Sequence, residues 1–164
     1  MTRGLAIAAL TFATTASALA EELPPGRTYM AQAIGMCLDL HEQPGAQMTA
    51  PAPFALNPQG YLLAEDRGVL VAVRGSRERD PDEDPEFADV VVECEALLQG
   101  EAPWFGELAT TQVADLKSLG WSLAEHRSGL VDEIQTFTLV GRGTITIQHG
   151  AGGSNGLFRL RWRE

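Results

Sequence analysis

The segment Leu157–Arg163 (LFRLRWR) alternates without a break, with Phe158, Leu160 and Trp162 at one set of positions and Arg159, Arg161 and Arg163 at the other. Successive side chains of a strand point to opposite faces, so a period of two puts the apolar set on one side and the arginines on the other. A strand of this kind has one face in a core and one outside it, and the charge on the outer face deters edge-to-edge pairing. The rest of the chain must therefore supply strands to pair with it and apolar elements to cover it.

Strand signals recur along the chain. Tyr61–Glu65 and Val69–Arg74 flank Asp66-Arg67-Gly68, whose turn chemistry makes a hairpin of them. Ala88–Leu98 reads as a third strand, with Val90, Val92 and Cys94 on one face and Val91, Glu93 and Glu95 on the other. Trp121–His126 follows, then Ile134–Val140 paired with Thr144–His149 through Gly141-Arg142-Gly143. Gly150–Gly156 reads as a loose turn, its strongest hairpin signal being Asn155-Gly156.

Two helices are expected. Thr28 reads as the N-cap of the first, with Tyr29, Ala33, Met36, Cys37 and Leu40 at helical spacing and Gln43-Pro44-Gly45 as its end. Thr110 or Thr111 caps the second, in which Val113, Leu116 and Leu119 form an apolar stripe and Gly120 closes the helix. Phe54-Ala55-Leu56 offers at most one short turn, and Pro24-Pro25-Gly26 marks an extended leader.

Gly60-Tyr61-Leu62-Leu63-Ala64-Glu65-Asp66-Arg67 is echoed sixty residues on by Gly120-Trp121-Ser122-Leu123-Ala124-Glu125-His126-Arg127. The expectation is a tandem pseudo-repeat of a helix followed by an antiparallel meander, one half at about 28–98 and the other at about 110–163. Helices that precede runs of antiparallel strands predict an α+β domain with the helices packed on one sheet face. In element order this plan resembles the small secreted β-lactamase inhibitor proteins, and the resemblance implies an inhibitor-like role.

Residues 1–20 read as a secretory signal peptide: Arg3, an apolar run from Gly4 to Ala13, and Ala18-Leu19-Ala20 before Glu21. The expected mature chain, 21–164, is a single domain. It loses Arg3, leaving eleven of the twelve basic groups against twenty-two acidic ones, a net charge of −11. That mean field repels nucleic acid and anionic membrane surfaces, and no later stretch is long and apolar enough to span a membrane. Cys37 and Cys94 are the only cysteines; in an exported chain they are expected to form one disulfide, joining the first helix to the third strand.

Catalytic and metal signatures are not assembled. Gly150–Gly156 precedes a strand, whereas a phosphate loop opens a helix. Asp80, Asp82 and Asp84 alternate as in a calcium loop, but Pro81 and Pro85 interrupt them and Val91 stands where the bidentate Glu belongs. The acidic stretch Ser76–Glu86 is expected to be a solvated loop. His41, His126 and His149 lie on separate elements without metal-ligand spacing, and each is expected to be exposed or half-buried. No cofactor and no metal are expected.

The reading that follows is a secreted, periplasmic, non-catalytic protein that binds an envelope protein partner. Its candidate contacts are Trp104 and Phe105 between the halves and the stripe of Arg159, Arg161 and Arg163, which could equally pair internally with Glu93 and Glu95. One alternative is a small envelope hydrolase using Glu65, Glu125 or His126 in a cleft between the halves. Another is a small-molecule carrier with a large apolar pocket.

Overall fold

The alternating C-terminal segment becomes strand β8 (Asn155–Arg163), and it lies inside a sheet, not at its edge. The structure is a computed structural model that describes residues 22–42, 48, 51–76, 90–130, 132–152 and 154–163. In chain order the other elements are α1 (Arg27–Glu42), β1 (Ala55–Leu56), β2 (Leu62–Asp66), β3 (Val69–Ser76), β4 (Val90–Gln99), α2 (Phe105–Ser118), β5 (Ser122–Ser128), β6 (Asp132–Leu139) and β7 (Gly143–Gly152). The strands form one eight-stranded sheet in the order β1-β2-β3-β4-β8-β7-β6-β5, and every neighbouring pair is antiparallel. The architecture is α+β, with helices on a sheet.

One face of the sheet is the core face. Phe158 and Leu160 are fully buried there, Trp162 is nearly so, and its indole N–H donates to the Arg142 carbonyl at 2.9 Å. Val71, Val73, Val92, Ala96, Ile145, Ile147 and Phe137 extend the same surface across β3, β4, β7 and β6. Helix α1 covers it with Met30, Ala33, Ile34, Cys37 and Leu40, a stripe at 3.6-residue spacing. Cys37 is bonded to Cys94 of β4, with Cα atoms 5.4 Å apart, so the expected bridge joins the first helix to the third long strand.

Helix α2 begins about a turn earlier than its polar residues suggest. Its buried stripe is Phe105, Leu108, Ala109, Val113 and Leu116, so the helical period starts at Phe105, with Trp104 at the N-cap. Thr110 and Thr111 are therefore interior residues, not caps: their hydroxyls donate to the carbonyls of Gly106 and Glu107 four residues back. Leu119 belongs to the helix end, not the core stripe, and is more than half exposed. Gly120 takes a φ of +92° and turns the chain into β5. Phe105 lies flat against β8, where a Cβ on Gly156 would come within 3.1 Å of its ring.

Other local readings are corrected. Ala55–Leu56 is a short edge strand on β2, not a turn. Asn155-Gly156 is not the hairpin turn, because the register pairs Ala151 with Gly156 and Gly152 with Asn155. The Pro-Pro-Gly leader folds back onto the β2–β3 turn. There Gly26 donates its N–H to Asp66 Oδ2 at 2.8 Å, and Arg67 reaches Glu22 and the Leu23 carbonyl. The Arg67 guanidinium and the Gly26 amide hold the Asp66 carboxyl below its usual range. The expected signal peptide and most of the acidic stretch lie outside the described residues.

The two echoed segments occupy different places. Tyr61 precedes β2, which is paired on both sides and buries Leu62 and Ala64. Trp121 is buried and precedes β5, which is the far edge and is exposed along its whole length. Asp66 ends a strand and holds the leader, whereas His126 sits within β5.

Candidate binding face of the sheet

Among the described residues, no helix lies on the second sheet face. The register lays its side chains out in rows that cross the strands. One row runs Gly150, Leu157, Leu97, Ala72 and Leu63 from β7 to β2. The row toward the strand ends runs Gly152, Asn155, Gln99, Leu70 and Glu65. On the other side come Gln148, Arg159, Glu95 and Arg74, and then Thr146, Arg161 and Glu93. The face is thus divided into an apolar end and a charged end.

At the apolar end is a concavity of about 640 Å³, lined by Leu70, Ala72, Leu97, Leu157 and the backbone of Gly150 and Gly156, with Gln99, Gln148, Asp132 and Asn155 among its polar groups. Leu157 and Leu97 stand in its middle row, with Gly150 and Ala72 on either side of them. Gln148 donates an amide N–H to Asp132 Oδ2 at 2.8 Å, which fixes both groups at the border of the concavity.

The charged end is a ladder. Arg159 Nε donates to Glu95 at 2.8 Å, Arg161 Nε donates to Glu93 at 3.0 Å, and Arg159 also lies 3.6 Å from Glu93. Arg163 lies 3.5 Å from the Thr146 hydroxyl. Beyond them the Arg74 guanidinium stacks over the Tyr61 ring at 4.7 Å. The arginine stripe is therefore not an uncompensated basic surface, because Glu93 and Glu95 stand opposite Arg161 and Arg159 in the register.

The Arg159 and Glu95 side chains are 28% and 16% exposed, which makes this pair more than a solvated surface contact. Arg159→Ala is expected to destabilise the chain by about 1–3 kcal/mol, since it leaves a part-buried carboxylate unpaired. The Arg159→Ala/Glu95→Ala double variant should recover part of that loss. A double-mutant cycle in urea checks it, and strictly additive losses would dissolve the pair as an energetic unit.

The other expected contacts lie elsewhere. Trp104 and Phe105 are 7% and 0% exposed, so they fill the core under α2 and present nothing to a partner. The reason is the early start of α2, which draws both residues into its first turn. Glu65 on β2 and Glu125 on β5 are six interstrand steps apart in the sheet order, ~29 Å along the sheet at about 4.8 Å per step.

His149 is buried, contrary to the expectation for the three histidines, because it follows Ile145 and Ile147 on the inward face of β7. Its Nε2 has no hydrogen-bond partner and lies 3.5 Å from Glu133 Oε2, which is also 3.7 Å from His126 Nε2. The same Glu133 oxygen thus lies near both imidazoles. Among the described residues no group of three has the geometry to hold a metal ion. Likewise, no helix among them is long and apolar enough to cross a membrane.

Burial pushes the His149 imidazole below its ordinary value of 6.5; Glu133 acts in the opposite direction and His126 adds to the lowering. A base whose folded pKa is depressed binds its proton more readily in the unfolded chain. Its contribution to stability is whole above 6.5 and is lost as pH falls from there toward the lowered folded value. Urea midpoints at about pH 7.5 and about pH 5.5 should differ more in the native chain than in His149→Phe. An equal difference in both would clear His149.

Comparison with known proteins brings in nothing further: the chain matches no protein-family model, no curated protein and no solved structure. The apolar end of the face was missed in the sequence, although a signal was present. GVLVAV and ECEALL place apolar residues on both faces of β3 and β4, where a strand with one solvated face would show polar alternation.

Proposed function

We propose that the mature chain is a secreted, periplasmic, non-catalytic binding protein that holds a macromolecular partner on the sheet face opposite α1 and α2. The observation that carries this reading is the concavity of about 640 Å³ on that face, in a row continuous with Leu63 and bordered by the ion-pair ladder. An apolar centre with a polar border is the usual anatomy of a protein interface. The single disulfide fits an oxidising compartment. The same reading treats the chain as two helix-then-meander units whose last strands, β4 and β8, meet in the middle of the sheet.

A photo-crosslinking residue at Leu63, in cells that export the protein, should capture one specific envelope protein. The same residue at Glu107, on the helix side, should not. Equal capture from both positions, or none from Leu63, would remove this face as the binding surface.

A further inference from the structure

We infer that the partner seats a basic, apolar segment in the concavity, with aliphatic or aromatic side chains over Leu157 and Leu97 and a lysine or arginine against Asp132. This rests on the partner-binding reading of the same face and names the chemistry that would be recognised there.

The apolar half follows from the leucines. The register sets Leu157 and Leu97 side by side between Gly150 and Ala72, so two half-buried leucines are flanked by small residues with nothing over them among the described residues. Apolar side chains laid on that row would remove the leucine surfaces from water.

The basic half follows from the charge left over. Arg159 and Arg161 are matched to Glu95 and Glu93, and Arg74, which keeps its charge while stacked on Tyr61, stands on β3, four interstrand steps from the Asp132 strand β6. Asp132 is half-buried at the border of the concavity, where its carboxylate accepts a hydrogen bond from the neutral amide of Gln148. Among the described residues it is also the only charged side chain lining the concavity. The whole chain is strongly acidic, with a net charge of −10 before processing, so its long-range field draws cations in and turns anions away. The local and the global charge therefore select the same sign.

A display library of random peptides, selected on the mature protein with its disulfide intact, tests this. Enriched peptides should combine large apolar residues with Lys or Arg. Ala72→Trp, which fills the space beside Leu97, should weaken them about tenfold or more, and Asp132→Asn should weaken them severalfold while flattening their salt dependence. Asn keeps the acceptor for Gln148, so this second variant removes charge alone and decides the question if Ala72→Trp does not fold. Enrichment of acidic peptides, indifference of the selected peptides to Asp132→Asn, or no enrichment would overturn the inference. Crosslinking from Leu63 separates it from the broader reading. A captured partner whose contact segment is acidic or wholly polar sinks the chemistry and leaves partner binding standing, whereas no capture removes both.

Discussion

Replacing Cys37 and Cys94 together by Ala is expected to lower stability by roughly 4 kcal/mol, the loop-closure entropy of a bridge spanning 57 residues. The bridge acts mainly on the unfolded chain, which it prevents from separating α1 from β4. It also sits where separation matters, since Cys37 and Cys94 are both fully buried in the core between that helix and the sheet. Urea unfolding of the oxidised chain and the double variant measures the difference. A loss below about 1 kcal/mol would mean that packing of α1 alone already restrains the unfolded state.

Phe105→Ala should cost about 3–5 kcal/mol, the range for deleting a fully buried aromatic side chain. The ring is completely buried at the start of α2 and lies against Gly156 of β8, so its loss leaves a void between helix and sheet. Small residues around it cannot close that void without moving the helix. The decisive comparison is with Leu63→Ala on the opposite face. Phe105→Ala should lower the urea midpoint and leave binding by the folded fraction unchanged, while Leu63→Ala should do the reverse. A Phe105→Ala chain that unfolds normally but no longer holds its partner would return the residue to the interface and contradict its burial.

Local pattern and tertiary structure divide the information unevenly. The strict alternation of residues 157–163 was enough to name a strand with one face in the core, because strand geometry assigns faces by parity alone. The pairings of β2 with β3 and of β6 with β7 were legible for a related reason: Gly68, Gly141 and Gly143 all take positive φ at the turns where the sequence placed them. The bridge was legible from the number of cysteines. By contrast, Trp104 and Phe105 looked like loop aromatics because Pro103 and Gly106 bracket them. Their burial depends on a helix stripe that becomes visible only when Leu108 and Ala109 are counted with Phe105.

What the sequence by itself determined is most of the elements, the parity of β4 and β8 and the covalent tie between α1 and β4, since all three depend on residues near one another in the chain or on the only two cysteines present. What only the tertiary structure decided is the neighbour of each strand. Placing β8 between β4 and β7 sets Arg159 and Arg161 against Glu95 and Glu93, sixty-four and sixty-eight positions away, and lays Leu157 beside Leu97 in the concavity. Strand order is a property of how long-range pairings bury the most apolar surface together, and no local period encodes it.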